Sequence, residues 1–278
     1  MLTPPLKWAG GKRWLIPHLA PLWQNYSHLR LVEPFCGGLG IALSLNPTRA
    51  LLNDINPHLI NLYLWMQKGI PAVGLSQTDN SESVFYAKRE QLNSAIRQNN
   101  AKTAEVAILF YYLNRTCYNG LCRFNRKGLF NVPFGAYKHI PYMSEAEFAG
   151  YKPIFERWQF TCGDFSSLQI EDKDFLYIDP PYDVPFTSYA KEDFTWDDQR
   201  RLVKWLLGYT NPMVVSNQAT PRMVELYEQA GFEITLLSAP RRISNNGNRT
   251  HAQEMLAYKN MAFRPAPSSR RQLSLFGE

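Results

Sequence analysis

The segment from Leu29 to Gly40 constrains the fold of this chain more than any other part of its sequence. Leu29 to Glu33 has the pattern of a buried strand, the glycine-rich turn Phe35-Cys36-Gly37-Gly38-Leu39-Gly40 follows, and a short helix is predicted from Ile41. Glycine lets the backbone of such a turn approach a bound ligand closely, although a merely tight turn has the same composition. The segment therefore predicts a strand, a turn and a helix at the start of an α/β sheet.

The rest of the chain repeats this alternation of strands and helices. Asn56-Pro57 caps a predicted helix that runs through Met66. Two more helices are predicted, one at 195–207, where Thr195 and Asp198 are placed like a capping pair, and one at 221–229. Further strands are predicted at 50–52, 175–178, 213–215, 232–237 and 255–258. Such alternation favours an α/β fold with an open, mostly parallel sheet that binds its ligands at the carboxyl ends of the strands.

One region, from about 61 to 138, breaks this rhythm and predicts an inserted helical module. Its clearest helix is Ala104 to Leu113, and a long loop rich in Gly, Asn and Arg follows. Five basic and no acidic residues lie between Leu113 and Lys138, interleaved with aromatic residues. Cations that meet phosphates and rings that stack on bases suit nucleic acid, and a solvated basic loop is the alternative.

Composition limits the classes of protein that remain. The chain has 278 residues, 45% of them hydrophobic and 19% charged, and no apolar run approaches the ~20 residues of a membrane span. The net charge is +6, and no export signal is visible at the amino terminus, so we expect a cytoplasmic, nucleoid-associated protein. The cysteines lack zinc-type spacing, and we expect buried, non-catalytic thiols at Cys36, Cys117, Cys122 and Cys162.

The motif Asp179-Pro180-Pro181-Tyr182 carries the most specific chemistry. It ends the predicted strand 175–178, because two prolines cannot continue a ladder of hydrogen bonds. The amino nitrogen of adenine is a poor nucleophile, since its lone pair is delocalised into the ring. A carboxylate and a proline carbonyl can accept its two hydrogens and direct the lone pair at a methyl donor. Tyr182 can stack on a base extruded from the duplex, and a purely structural Pro-Pro turn is the alternative.

Two weaker signals accompany this motif. Asp54 ends the second predicted strand, where its carboxylate can accept the ribose hydroxyls of an adenosyl cofactor or simply begin the next helix. The run Lys7-Trp8-Ala9-Gly10-Gly11-Lys12 combines cations, an aromatic ring and two glycines, which suits the methionine end of such a cofactor and equally a surface turn. Neither signal is specific by itself.

Six motifs occur in a fixed order: KWAGGK, EPFCGG, NDIN, YNGLCRFN, FNVPFG and DPPY. In this order they resemble the Dam-type DNA adenine methyltransferases, the D12 class of the alpha group, over Lys7 to about Lys259. The resemblance implies a Rossmann-like seven-stranded methyltransferase sheet and S-adenosylmethionine as cofactor. It also implies methylation of adenine N6 in duplex DNA by base flipping, without a metal ion.

The resemblance further implies roles for individual residues. The catalytic residues would be Asp179, Pro180, Pro181 and Tyr182. The cofactor would be bound by Trp8, Lys12, Phe35, Gly37, Asp54, Asp164 and Asp179. DNA would be bound by Lys7, Tyr118, Asn119, Leu121, Arg123, Pro133 and Tyr137, a set similar to that of enzymes reading GATC, with Arg123 on a guanine. The polar loop from Arg241 to Arg249 would hold phosphates or the displaced partner base, or would be solvated.

The motifs predict a division of the chain into three parts. Residues 1–56 and 145–263 would form the catalytic domain that binds S-adenosylmethionine, 57–144 the target-recognition module, and 264–278 a flexible tail. In the tail, Gln272, Leu273, Leu275 and Phe276 resemble the pentapeptide by which bacterial replication and repair proteins bind the sliding clamp. Packing of the tail on its own domain is the alternative. Nothing in the sequence requires more than a monomer.

Other enzymes fit the sequence less well. A cytosine C5 methylase needs a Pro-Cys nucleophile, which the chain lacks. Asp179 stands where cytosine N4 enzymes typically have Ser and where many RNA or glutamine methylases have Asn. An RNA adenine methylase and a catalytically inactive DNA-binding protein stay open as alternatives. The first would prefer RNA to duplex DNA, and the second would not depend on Asp179.

Overall fold

A seven-stranded sheet forms the centre of the protein in the computed structural model, which describes residues 2–70, 75, 77–182, 194–239 and 252–262. The strands are β1 (Arg30–Glu33), β2 (Ala50–Asp54), β3 (Trp158–Cys162), β4 (Asp174–Ile178), β5 (Met213–Gln218), β6 (Glu233–Ala239) and β7 (Ala252–Lys259). Their order across the sheet is β3-β2-β1-β4-β5-β7-β6. The predicted α/β fold with a seven-stranded sheet is confirmed.

Most of the strands in this sheet are parallel. Parallel pairing joins β3, β2, β1, β4 and β5, whereas β7 runs antiparallel to both β5 and β6. Val32 of β1 lies opposite Leu51 of β2 and Leu176 of β4, so these three strands end at the same edge. Because β1 lies between β2 and β4, the strand order reverses there, and open α/β sheets form their ligand crevice at such a point.

The edge strand β3 is the strand that the sequence pattern does not predict. Trp158 and Phe160 are buried, whereas Gln159 and Cys162 are exposed. Each residue of β3 pairs with one of β2, a segment far away along the chain. Five alternating residues are a weak local signal, and the long-range pairing with β2 decides that they form a strand.

Nine helices accompany the sheet within the described residues. They are α1 (Ile16–Gln24), α2 (Gly40–Leu45), α3 (Pro57–Lys68), α4 (Glu82–Arg97), α5 (Ala104–Thr116), α6 (Glu145–Ala149), α7 (Lys152–Phe155), α8 (Trp196–Leu206) and α9 (Pro221–Gln229). Asn56 accepts hydrogen bonds from the N–H groups of His58 and Leu59 at the start of α3, and Thr195 forms a capping box with Asp198 at α8. Both caps agree with the sequence prediction.

The central strands are buried on both faces. Leu31 and Tyr177 pack into a core that includes residues of α1, α3 and α5, while Val32 and Leu176 pack into a second core with residues of α8 and α9. Burial of one such apolar side chain stabilises the fold by ~1.5–3 kcal/mol. Two closely packed cores therefore hold the strand ends rigidly, and the candidate functional residues lie at those ends.

The segment 57–144 contributes helices and a long irregular loop between β2 and β3. Helices α4 and α5 enclose a smaller core with the loop, and this core includes Phe85, Tyr112 and Phe130. Phe110 and Tyr111 of α5 belong instead to the core against the sheet. Because α5 contributes to both cores, the recognition module at 57–144 stays a prediction.

The free cysteines do not all share the expected burial. Cys36 and Cys117 are buried, Cys122 is partly buried, and Cys162 is exposed. The expectation of buried thiols is wrong for Cys162, because this residue ends the edge strand β3. None of the helices in the described part of the chain has the length and apolar character that a membrane span requires.

Candidate active site

Strands β1, β2 and β4 carry the predicted site residues at one edge of the sheet. The glycine-rich turn follows β1, Asp54 ends β2, and Asp179 follows β4. Since the three strands are parallel neighbours, their carboxyl ends lie side by side. The structure thus brings together residues that are far apart in the sequence.

Trp8 packs directly on the glycine-rich turn. A Cβ atom added at Gly37 would lie 2.5 Å from Trp8 Nε1, and one added at Gly38 would lie 2.6 Å from Trp8 Cβ. Gly37 also has a φ of +44°, in the left-handed region, and its carbonyl accepts a hydrogen bond of 2.7 Å from the Tyr63 hydroxyl. Both glycines are therefore needed so that the indole of Trp8 can lie against the backbone of the turn.

Asp54 connects the end of β2 to this turn. Its Oδ2 accepts a hydrogen bond of 3.0 Å from the Gly37 N–H, and its Oδ1 accepts one of 2.9 Å from the Asn56 N–H. Burial raises the pKa of Asp54, and these backbone bonds oppose that effect. Each carboxylate oxygen has a second lone pair, so Asp54 can still accept hydrogen bonds from the ribose hydroxyls of an adenosyl group.

Asp164 has a strong partner that the sequence did not indicate. Arg201 of α8 binds its carboxylate with two hydrogen bonds, of 2.7 and 2.8 Å. These bonds hold the pKa of Asp164 well below its usual range, and the guanidinium lies 4.2 Å from the Phe165 ring centroid. Phe165 also packs on Phe35, with 5.6 Å between the ring centroids. The ends of β1 and β3 thus combine aromatic surface with a paired carboxylate.

Asp179 lies among polar groups from several elements. Its Oδ1 accepts a hydrogen bond of 3.0 Å from the Ser216 hydroxyl of β5 and lies 3.3 Å from Lys12 Nζ. Burial raises the pKa of Asp179 to about 6, against the opposing effects of Lys12 and Ser216. The nearby carboxylate of Glu254 raises this pKa further. Asp179 is thus ionised at neutral pH and becomes protonated in mild acid.

Pro181 and Tyr182 are held by buried side chains. The Pro181 carbonyl accepts a hydrogen bond of 2.8 Å from Gln199 Nε2 of α8, and the Gln199 Oε1 accepts one of 3.4 Å from Asn217 of β5. The Tyr182 hydroxyl donates a hydrogen bond of 2.5 Å to Glu254 Oε1. Lys12 contacts the same hydroxyl and lies 4.1 Å from the centroid of the Tyr182 ring. The turn after β4 is therefore fixed at both ends.

The predicted DNA-binding residues begin next to this site. Asn114, which is buried at the end of α5, accepts a hydrogen bond from the Lys7 N–H and donates to the carbonyls of Lys7 and Gly120. Lys7 Nζ lies 3.9 Å from the ring centroid of Tyr137, and burial, followed by the charge of Arg115, lowers the pKa of Lys7. Lys7 and Tyr137 are thus in contact, and their role in binding DNA stays a prediction.

The other predicted DNA-binding residues follow on the adjoining loop. Tyr118 is 52% exposed, Asn119 has a φ of +53°, and the Tyr118 N–H donates to the carbonyl of the exposed Pro133. Leu121 is partly buried. Arg123 donates from Nε to Asn131 Oδ1 at 2.9 Å and from Nη2 to the Asn131 carbonyl at 3.2 Å. This pairing orients the Arg123 guanidinium and links it to its own loop rather than to Lys7.

Comparisons with known proteins decide the family. The model of the D12 class N6 adenine-specific DNA methyltransferases matches residues 8–243. The chain belongs to this family. The DNA adenine methylase of Escherichia coli K12 is 35% identical over 94% of the chain and 97% of its own length, and that of Haemophilus influenzae is 34% identical over 91% and 92%. The DNA N-6-adenine-methyltransferase of Escherichia phage P1 is 34% identical over 87% of the chain but only 33% of its own length.

Alignments of this adenine-specific DNA methyltransferase with solved structures of other methyltransferases have low TM-scores. The N-terminal domain of human METTL16 in complex with SAH aligns with a TM-score of 0.36, 11% identity and coverage of 89% of this chain and 70% of that one. The rRNA methyltransferase aviRa from Streptomyces viridochromogenes aligns with a TM-score of 0.33, 10% identity and coverage of 87% and 84%. The family membership rests on the sequence relatives and not on these alignments.

Several residues that contact the candidate site were not identified from the sequence. They are Gln199, Arg201, Ser216, Asn217 and Glu254. Ser216 and Asn217 follow the apolar start of β5, and Glu254 precedes the apolar run of β7. A polar residue directly beside a buried apolar run is a usable signal that this position faces a site, but the partner of each residue depends on tertiary contacts.

Proposed function

We propose that this enzyme transfers the methyl group of S-adenosylmethionine to N6 of adenine in duplex DNA, at GATC. The observation that carries this proposal is the placement of Asp179. It is a carboxylate at the carboxyl end of β4, held by Ser216 and Lys12, and it precedes a Pro-Pro turn in which Pro181 and Tyr182 are held by hydrogen bonds. A carboxylate fixed in this way is preorganised to accept a hydrogen bond from an amino group.

The chemical step would depend on two hydrogen-bond acceptors. We assign Asp179 as the first and the Pro180 carbonyl as the second, because the neighbouring Pro181 carbonyl already accepts a bond from Gln199. Together they would draw the adenine nitrogen toward tetrahedral geometry and direct its lone pair, so that no strong base is required. The cofactor, when bound, supplies an electrophilic methyl group on its sulfonium. Tyr182 would stack on the flipped adenine.

The residues at the strand ends fit an adenosyl cofactor. Asp54 retains free lone pairs for the ribose hydroxyls, and the aromatic surface of Phe35 and Phe165 suits an adenine ring. Asp164 would act in this pocket as an ion pair with Arg201. Trp8, Lys12 and Gly37, which lie against the same turn or beside Asp179, complete the cofactor assignment.

The loop after α5 would read the DNA sequence. We assign phosphate and base contacts to Lys7, Tyr118, Asn119, Leu121, Arg123, Pro133 and Tyr137, with the segment 57–144 as the recognition module. The guanidinium of Arg123 can present two donors to O6 and N7 of guanine. The predicted polar loop from Arg241 to Arg249 lies outside the described residues.

Expression in a bacterial host without DNA methylases tests this function. The genomic DNA is read by single-molecule sequencing, beside an Asp179→Ala control. N6-methyladenine at GATC that requires the intact protein would support the reaction and the site. Methylation at another motif would overturn the assignment of the loop around Arg123. Absence of DNA methylation, from soluble protein that binds the cofactor, would favour an RNA substrate.

A second interaction is proposed from the sequence of the tail. Gln272, Leu273, Leu275 and Phe276 have the spacing of a clamp-binding peptide, and they too lie outside the described residues. We expect deletion of 272–278 to abolish binding to a bacterial sliding clamp in a fluorescence polarisation assay, with turnover on short oligonucleotides unchanged. Unchanged affinity for the clamp would refute the interaction.

Size-exclusion chromatography with light scattering checks the expected monomer.

A further inference from the structure

Glu254 is a buried carboxylate for which sequence reasoning assigned no role. It lies on β7, the antiparallel strand beside β5, and is 8% exposed. Its Oε1 accepts the hydrogen bond from the Tyr182 hydroxyl, and its Oε2 lies 3.5 Å from Lys12 Nζ and has no hydrogen-bond partner among the described residues. A buried carboxylate oxygen that relies on one ion pair is costly, which points to a function.

Lys12 is shared between two carboxylates. Its Nζ lies 3.3 Å from Asp179 Oδ1 and 3.5 Å from Glu254 Oε2, and the residue is only 4% exposed. One buried ammonium group cannot fully compensate two carboxylates, so each of them weakens the pairing of the other. The position of Lys12, and the share of its charge that reaches Asp179, therefore depend on Glu254.

The groups around Asp179 come from every neighbouring element. Glu33 at the end of β1 and Tyr177 of β4 interact electrostatically with Asp179, and Ser216 of β5 donates a hydrogen bond to it. Among the described residues, Lys12 and Glu254 also act on its charge. Burial raises the pKa of Glu33 well above its usual value, which favours its neutral form. Glu254 is thus the second carboxylate that competes for Lys12.

Glu254 also determines the position of Tyr182. The hydrogen bond from the Tyr182 hydroxyl and the position of Lys12 beside its ring hold this side chain from two directions. Tyr182 adjoins the Pro-Pro turn, and the backbone of that turn carries the proposed second acceptor. A single side chain on β7 therefore contacts both the cation beside Asp179 and the end of the turn.

We propose that Glu254 is a positioning residue, which orients the catalytic turn by dividing Lys12 between itself and Asp179 and by holding the Tyr182 hydroxyl. The inference rests on the proposed role of Asp179 as a hydrogen-bond acceptor. It assigns to Glu254 no contact with DNA or cofactor.

The first experiment measures Asp179 directly, in enzyme without cofactor or DNA. The protein is labelled with 13C at the aspartate carboxyl carbon, and the Asp179 resonance is assigned with Asp179→Asn. Without the negative charge of Glu254, Lys12 pairs with Asp179 alone. We therefore expect Glu254→Gln to move the titration midpoint of Asp179 from about 6 to lower pH by roughly one pH unit. Glu254→Asp, which restores the charge, should return the midpoint toward that of the wild type.

The matched control is Glu228→Gln, which removes the same charge from the exposed surface of α9 and should leave the midpoint unchanged. A midpoint that is identical in Glu254→Gln and wild type would overturn the proposal. This experiment does not require turnover. If the wild type made no N6-methyladenine, the proposed function would fail while the titration still decided the link between Glu254 and Asp179.

The second experiment separates positioning from structural support. Single-turnover rates on a GATC duplex should fall by roughly tenfold in Glu254→Gln, with the KM for DNA changed less than about twofold, because misplacement of a reacting group acts on kcat. Tyr182→Phe and the double variant complete a double-mutant cycle. Strong non-additivity supports action through the tyrosine hydroxyl, whereas additive effects or a change confined to KM would refute it.

Discussion

The edge of the sheet around Asp179 and the loop after α5 are built in opposite ways. Around Asp179, ionisable side chains from the turn after β4, from β7 and from the amino-terminal segment contact one another in a largely buried cluster. In the loop after α5, asparagine side chains hold the backbone, as Asn114 does for Lys7 and Gly120, while Tyr118 is left exposed. Charges act strongly in a buried site, whereas a loop held by its backbone leaves its side chains free to contact a partner. Substitutions at the two places should therefore affect different kinetic parameters.

The largest expected effect is the loss of Asp179. Asp179→Ala removes the proposed acceptor of the adenine amino group, and we expect kcat to fall at least about a thousandfold while DNA affinity stays within a few-fold. Single-turnover methylation and fluorescence anisotropy measure the two quantities. A comparable loss of DNA affinity would break the contrast between the two regions.

The next effect concerns pH. Because the pKa of Asp179 is about 6 and a protonated carboxyl loses acceptor capacity, kcat should fall about tenfold per pH unit below that value. Lys12 lowers this pKa, so Lys12→Met should move the acid limb of the kcat profile to higher pH. In Arg123→Ala, the acid limb of the kcat profile should lie at the same pH as in the wild type. A shift of this limb would show that the two regions are electrostatically coupled.

Specificity should change most at Arg123. Replacement by Ala removes the two donors proposed for guanine, and we expect a loss of ~1–3 kcal/mol of discrimination against duplexes substituted at that position. Competition methylation with all single-base variants of GATC measures this loss. The exposed Arg126 serves as control: Arg126→Ala should weaken binding equally for all duplexes and reduce the salt dependence. If Arg123→Ala discriminated between these duplexes as the wild type does, the assignment of Arg123 to a guanine would be wrong.

The next prediction concerns Asn114, whose side chain holds the backbone of Lys7 and of Gly120 in the loop after α5. Asn114→Leu leaves the Lys7 N–H and the carbonyls of Lys7 and Gly120 without their buried partner, at an expected cost of about 1–3 kcal/mol in the free energy of unfolding. Denaturant unfolding measures the cost. The variant Asn100→Leu, at an exposed position after α4, is the comparison and should change stability much less. Equal effects at both positions would contradict the anchoring role.

The smallest effect is expected at the pair of Arg201 and Asp164. The side chains are 43% and 40% exposed, so solvent screening limits the contribution of the pair to about 0–1 kcal/mol. Because the pKa of Asp164 is depressed, this stability is present above the ordinary pKa of an aspartate and is lost as pH falls through the lower, folded value. Thermal melts of Arg201→Met at pH 7 and pH 3 test the sign, since the difference from wild type should shrink in acid.

Much of the fold could be predicted because its signals are local. Apolar runs identified six strands, and the caps at Asn56 and Thr195 are formed by residues within three positions of one another. The seventh strand, β3, was not predicted because its pattern is short and its partner, β2, is distant in the chain. The exposure of Cys162 follows from the same edge position and was likewise not visible in the sequence.

The sequence by itself determined the order of the motifs and the placement of Asp54 and Asp179 at strand ends. Strand periodicity and proline turns are properties of neighbouring residues, so no folded partner is needed to recognise them. Only the tertiary structure decided that Glu254 and Ser216 contact the groups around Asp179, and that Arg201 binds Asp164. These contacts join strands and helices that are separated in the chain, and they exist because the parallel strands end at one edge of the sheet, where the antiparallel strand β7 begins.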